Sequence, residues 1–382
     1  TVYVQRSYFI SDVASSLLYL LSAGLTLLSS FLRTSFPNFE RSKQSVTIGS
    51  TNQQTVSLHI TKINHKMLKT STLIHHTTNV SPSPSTSSSS SSALFTSGSF
   101  SLESWRKLSS NLEARRQLMK NMCAKYKSSI SKTITRDHVK QIYVEDKYKL
   151  LYCEVPKAGC SNWKRTLMVL AGQASNARSI THDTVHYNNH LNRLDSFDHK
   201  EIMHRLQTYT KVVFVREPLE RLVSAYRDKF ENPNNHYHNL FGKPIISKYR
   251  VNPSQEALRT GNGVTFKEFV QYLLDVHRPV GMDIHWELAN QLCHPCLIDY
   301  DFIGKFENME EESNLFLRIT GAPRNLTLPS FKDRNPKDKK TSSQITEKYF
   351  TQVSKGQRQR VYDFYYMDYL MFNYSKPFKD IY

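Results

Sequence analysis

A chain of 382 residues with 51 Lys and Arg against 33 Asp and Glu carries a formal net charge of +18, which draws anionic partners. No zinc-finger, RRM or helix-turn-helix signature accompanies the basic excess; this excludes a nucleic-acid-binding module and leaves an anionic cofactor, acidic glycans or membrane headgroups. The length admits one α/β domain with a sizeable core plus a leader region, and no internal repeat is present.

Residues 1–12 read as a short cytoplasmic tail. The stretch 13–32 has no charged residue, is rich in leucine and is bounded by Asp12 and Arg33, so as a helix it can just cross a bilayer. An uncleaved signal anchor is the expectation; a cleaved signal peptide competes, although no clear A-x-A site follows. The flanking charges, Arg6 and Arg33, do not fix the orientation. Residues 33–104 are polar and culminate in SPSPSTSSSSSS (81–92), which cannot bury a core and reads as a stem. From Trp105 to the end, 105–382, the composition is globular.

Two segments about sixty residues apart carry the chemistry, VPKAGCSNWKR (155–165) and VREPLERLVSAYRDKF (215–230). Each follows an apolar β-branched run (150–155 and 211–215) and leads into a helix-like pattern. Strand, loop and helix start together make an anion site, because the first backbone N–H groups of a helix have no intrahelical partner. In the first loop Pro156 stiffens the strand exit and Lys157 supplies an ammonium. Ala158, Gly159 and Cys160 are small enough for close approach to the backbone. Ser161 and Asn162 stand at the expected N-cap before Trp163 opens the helix. Neither a Walker A loop nor GxGxxG is present. In the second loop Arg216 ends the strand, Pro218 suits the first helical turn, and Ser224 follows Arg216 by two turns. A guanidinium and a hydroxyl so placed can hold a phosphate. Leu219, Leu222, Val223 and Tyr226 form the buried stripe of that helix. Two such loops predict a ligand with two separated phosphate-like groups.

His182, His186 and His190 recur every four residues and would share one helical face. Without HExxH, an exposed face or part of an acceptor wall is favoured over a metal site. NPNNHYH, with His236 and His238, reads as a loop able to reach an acceptor. Thr265 with Glu268, and Ser354 with Gln357, form capping-box patterns opening helices. The tyrosines and phenylalanines of 361–374 read as the core face of a C-terminal helix.

The two loops together resemble the 5′-phosphosulfate loop and the 3′-phosphate site of sulfotransferases. Their form is similar to that of the membrane-bound carbohydrate sulfotransferases of the Golgi, above all the group that 4-O-sulfates N-acetylgalactosamine and its chondroitin and dermatan 4-O relatives. RPVGMDIHWE (278–287), LCHPCLIDYDFIGKFENMEEE (292–312) and YDFYYMDYLMFNY (362–374) extend the resemblance over roughly 105–378.

The resemblance implies a P-loop-like sulfotransferase fold, a central parallel sheet flanked by helices. It implies 3′-phosphoadenosine 5′-phosphosulfate as co-substrate, no metal, and a glycan acceptor. The donor would be held by Pro156, Lys157, Ala158, Gly159, Cys160, Ser161 and Asn162 at its 5′ end. At its 3′ end it would meet Arg216, Glu217, Pro218, Leu219, Glu220, Arg221, Leu222, Val223 and Ser224. Lys157 would neutralise the bridging oxygen, and a base is needed for the acceptor hydroxyl. His285 is the first choice, with His186 and Glu287 behind it. The implied topology is a single-pass type II protein of the Golgi membrane with a lumenal catalytic domain. There, Asn79, Asn325 and Asn373 become glycan acceptors, Asn79 the weakest because Pro82 follows closely. Five cysteines are an odd number, so at least one is unpaired or intermolecular. Cys293-His-Pro-Cys296 resembles a redox motif or half a zinc site, but no second CxxC exists; a structural role, disulfide or packing, is expected.

Overall fold

A computed structural model describes residues 102–126, 133–330 and 340–381. The expected tail, anchor and Asn79, and the stem up to residue 101, lie outside the described residues. Helix α1 (Leu102–Lys125) starts the fold. Strands β1 (Ile142–Glu145) and β2 (Leu150–Cys153) come next, then α2 (Cys160–Leu170) and the short α3 (His182–Tyr187). After these stand β3 (Asn192–Arg193), α4 (His199–Thr208), β4 (Thr210–Val215) and α5 (Pro218–Tyr226). The chain continues through α6 (Phe266–Leu274), α7 (Ala289–Cys293), β5 (Phe302–Lys305) and α8 (Met309–Ile319). It closes with α9 (Ser343–Phe350), α10 (Lys355–Phe364) and α11 (Tyr366–Met371).

The sheet order is β3-β1-β2-β4-β5. β2, β4 and β5 are mutually parallel, with Leu151 opposite Lys211 and Val213 opposite Ile303. β1 runs antiparallel to both β2 and β3, so the sheet is mixed and the expected parallel pairing holds only among β2, β4 and β5. The cause is the short connection 146–149, where Lys149 adopts φ 55°. A connection that short can only turn the chain back, whereas a parallel pair needs a crossover of a dozen or more residues.

Both faces of the parallel strands are covered. Leu151, Cys153, Val213, Val215 and Ile303 pack with Ile202 and Leu206 of α4 and Leu292 of α7. The alternate residues Leu150, Tyr152, Val212, Phe214 and Phe302 pack with Trp163 of α2 and Leu315 and Phe316 of α8. Trp163 stacks on Tyr152 at 5.3 Å and lies 5.2 Å from Phe214. A third cluster joins α5, α6, α9 and α10 around the buried Trp286 and Phe269. The capping boxes at Thr265/Glu268 and Ser354/Gln357 both form. The C-terminal apolar stretch is two helices rather than one, divided at Tyr365. Cys153 bonds Cys293 and Cys123 bonds Cys296, so the Cys-His-Pro-Cys pair is structural, each cysteine having a distant partner. Cys160 is the free, buried fifth cysteine.

Candidate active site

β2 and β4 lie side by side and parallel, so the loops at their carboxyl ends are neighbours. Such a place, beyond the carboxyl ends of parallel strands, is where open α/β sheets bind ligands. After β2, Lys157 (φ 68°) and Gly159 (φ 86°) both take left-handed backbone. Gly159, not Ser161 or Asn162, is the N-cap of α2, which begins at Cys160. A Cβ on Gly159 would stand 2.2 Å from the Sδ and Cε of Met309, so the loop is closed against the start of α8. Pro156, Ala158 and Cys160 are buried. The Cys160 thiol is pushed up to about 11 by its burial and by Glu154, which makes it inert rather than nucleophilic.

Ser161 and Asn162 occupy the first turn of α2. The Ser161 hydroxyl shares a hydrogen bond with His186 Nε2 at 2.9 Å. The Asn162 amide donates to the carbonyl of Pro329 at 2.7 Å. Burial, then Lys164 and His182, lower His186 to about 4, so it is a neutral partner of the loop near pH 7. His182 lies with its ring 4.5 Å from that of His186. His190 falls beyond the end of α3, so the three histidines do not share a helical face. Among the described residues no group of His, Cys, Asp and Glu could hold a metal ion.

At the second loop Arg216 is 5% exposed. It donates to the carbonyls of Lys157 (3.2 Å) and Thr341 (2.5 Å), meets Glu220 at 3.6 Å and lies over the Phe306 ring. Its buried Nε has no partner. This guanidinium therefore ties the two loops together and keeps one donor unused. Burial lowers its proton affinity while Glu220, Glu307 and Glu217 raise it. Glu217 is the N-cap of α5 and Pro218 takes its first turn. Its carboxylate accepts from Glu220 N and from the Tyr369 hydroxyl, and burial raises it to about 7. Leu219, Leu222 and Val223 point into the third core cluster. Arg221, 1% exposed, donates to the carbonyls of His285 (3.3 Å) and Glu287. Ser224 is half-buried and makes no side-chain hydrogen bond among the described residues.

A charged centre joins the segment after α5 to the loop after β2. Asp228 receives Lys157 Nζ at 3.2 Å and Lys229 Nζ at 3.1 Å. Burial would raise its carboxyl, but the two ammonium groups hold it at about 2. Lys229 also lies 4.6 Å from the centre of the Tyr237 ring. The Tyr237 hydroxyl reaches both Asp283 oxygens at 3.3 Å and His285 Nδ1 at 3.0 Å. Burial lowers Lys157 and His285, the latter opposed by Asp283 and reinforced by Lys229 and Lys157. Glu287 turns its carboxylate onto the N–H of Leu288. His236 is exposed, while His238 is buried with no partner at Nε2.

Asp228, Lys229, Tyr237 and Asp283 are site residues that sequence reasoning missed. All four stand within segments that it did single out, RDKF, NHYH and MDIHWE, and the available signal was a charged or hydroxyl residue beside a chosen one. Asn325 and Asn373 are exposed. A cavity of about 620 Å³ beside α5 is lined by Glu217, Glu220, Glu347 and Asp380 together with Arg358 and Lys379, so its charged lining is acidic on balance.

A model of the sulfotransferase family matches residues 140–375. Carbohydrate sulfotransferase 8 of Mus musculus is 63% identical over 279 residues, 73% of this chain and 67% of that protein. Its Homo sapiens counterpart is also 63% identical, over 73% of this chain and 66% of that protein. Carbohydrate sulfotransferase 9 of Homo sapiens is 58% identical over 72% of this chain and 62% of its own length. The chain thus spans about two thirds of these relatives' length, and no solved structure matches it.

Proposed function

Because this chain belongs to the sulfotransferase family, we propose that it transfers sulfate from 3′-phosphoadenosine 5′-phosphosulfate to the 4-hydroxyl of N-acetylgalactosamine in a glycan, terminal residues on glycoproteins being the first acceptor. The observation that carries this reading is the pairing of two anion-type loops at the ends of adjacent parallel strands, linked by Arg216 to the Lys157 carbonyl. The buried unpaired Nε of Arg216, the unengaged Ser224 and the left-handed Gly159 suit an anion with two separated phosphate groups. Lys157 and the N–H groups opening α2 would hold the 5′ end, and Arg216 with Ser224 the 3′-phosphate. The donor supplies an activated sulfuryl group. This chain would supply in-line positioning, positive charge at the leaving oxygen and a base.

His285 is the base of this reading. Its Nδ1 is engaged by Asp283 and Tyr237, it lies within electrostatic reach of Lys157, and it has no partner at Nε2 among the described residues. Two disulfides and exposed Asn325 and Asn373 suit an oxidising, glycosylating compartment, which supports the reading of a Golgi-lumenal domain behind a type II membrane anchor at 13–32.

The test uses the chain expressed in secretory cells with radiolabelled donor. Acceptors are a terminal N-acetylgalactosamine disaccharide, desulfated chondroitin and desulfated dermatan. Label at the 4-position is expected, with most turnover on the disaccharide. Preference for chondroitin or dermatan would move the acceptor assignment to them. Donor binding without label on any acceptor would overturn the catalytic reading in favour of a glycan-binding protein.

A further inference from the structure

The NHYH segment, helical from Asn235 onward rather than the expected loop, and the residue two before His285 converge on one imidazole edge. Asp283 Oδ1 lies 2.6 Å from His285 Nδ1 and also accepts the His285 backbone N–H at 2.9 Å. The Tyr237 hydroxyl lies 3.0 Å from the same nitrogen and 3.3 Å from each Asp283 oxygen. A carboxylate accepts and cannot donate, so this contact requires the proton on Nδ1 and leaves the lone pair on Nε2. From behind, Arg221 donates to the His285 carbonyl. The ring is thereby fixed in tautomer, in tilt and in backbone position.

We propose that Asp283 is a positioning residue for the transfer reaction, holding His285 as the Nδ1–H tautomer with Tyr237 as a second clamp, so that Nε2 takes the acceptor proton. This rests on the reading of His285 as base. The acceptor oxygen forms its bond to sulfur with the pair released from its O–H bond, and that proton passes to Nε2. The sulfur–bridging-oxygen bond breaks, its electron pair leaving on the 5′-phosphate of the nucleotide product. The imidazolium so formed is stabilised by the carboxylate already bound to its other nitrogen.

The charged and titratable groups around the ring are Asp283 on its own segment, Tyr237 of the helical NHYH segment, Lys157 of the loop after β2 and Lys229 of the helical turn after α5. Asp283 raises the proton affinity of His285 and the two lysines lower it. Removing the carboxylate therefore moves the acid limb of the rate profile to lower pH and weakens the base.

The experiment compares Asp283→Asn, Asp283→Glu and His285→Ala in the full chain. It measures kcat, acceptor KM, the pH profile of kcat/KM, and affinity for adenosine 3′,5′-bisphosphate. Asp283→Asn is expected to lower kcat by roughly 10²–10⁴, to shift the acid limb downward and to leave nucleotide affinity unchanged. Asp283→Glu, which keeps the carboxylate, is expected to recover part of the rate. His285→Ala with full activity would overturn the base assignment itself. An inactive His285→Ala beside an Asp283→Asn of parental kcat and pH profile would overturn the role of Asp283 alone. Asn and Glu variants equally impaired, or both without nucleotide affinity, would also overturn it, since Asp283 would then be structural.

Discussion

Replacing Arg221 by methionine removes a buried charge from the helix that follows the second loop while keeping most of the side-chain volume. In the fold, this guanidinium gives one hydrogen bond to the carbonyl of His285 and one to that of Glu287. Its charge also holds down the carboxyl of buried Asp368, which burial pushes up and which binds the N–H groups of Ala289 and Asn290. Leaving two part-buried carbonyls without their donor costs about 1–3 kcal/mol each, roughly 3–5 kcal/mol together. At about 2 °C per kcal/mol for a large domain, the melting temperature should fall by roughly 6–10 °C. The same change frees the backbone that carries His285. A misplacement of about 1 Å costs about 10²-fold in rate, so kcat should fall by at least that order. Scanning calorimetry, turnover and nucleotide-product affinity on the one variant separate the two effects. Arg221→Met that melts with the parent and keeps its kcat would refute the strut. Lost nucleotide affinity with unchanged melting would make Arg221 a ligand contact instead.

Lys157→Ala should depress kcat by two or more orders of magnitude, in the range of roughly 10²–10³ found when one charge-stabilising donor is removed. It should lower nucleotide-product affinity far less than turnover, and unchanged turnover would remove Lys157 from the chemistry. Arg216→Ala should weaken nucleotide binding and destabilise the fold together, because the side chain both spans the loops and keeps a free donor; calorimetry and a binding titration would read the two, and unaltered affinity would refute the phosphate role. Glu217 titrates at about 7 in the fold against an ordinary 4.5, so the folded chain binds the extra proton between those values. Its contribution to stability is thus present at low pH and lost as pH rises through about 7. Glu217→Gln should flatten that part of the melting-temperature profile, and an unchanged slope would refute the assignment. Thiol titration of the unreduced, denatured chain should count one thiol, from Cys160, which should resist alkylation in the native state. Reduction should lower the melting temperature, each disulfide contributing about 2–4 kcal/mol.

The two loops were legible because their signals are local. An apolar β-branched run, a few small residues with Lys or Arg, and a helix start each follow from backbone chemistry within about a dozen positions. The capping boxes at Thr265 and Ser354 were readable for the same reason. The N-cap at Gly159 was misplaced by two residues because Ser161 and Asn162 have the better intrinsic preference. Met309, 150 positions away, packs where any side chain on Gly159 would stand, and no local propensity contains it. The antiparallel β1 was unseen because its four residues, all buried, offer no alternation.

From sequence alone came the two strand–loop–helix segments, which rest on residue types at short spacing, and, through the family resemblance those segments carry, the choice of His285. Only the tertiary structure decided what those residues touch. It set Arg221 against the carbonyls of His285 and Glu287, and split the Cys-His-Pro-Cys motif between two disulfides. It also gathered Lys157, Asp228, Lys229, Tyr237, Asp283 and His285 into one charged centre. Those six come from four segments spread over more than a hundred residues. Their meeting is fixed by sheet order and helix packing, which depend on contacts that neighbouring residues do not encode.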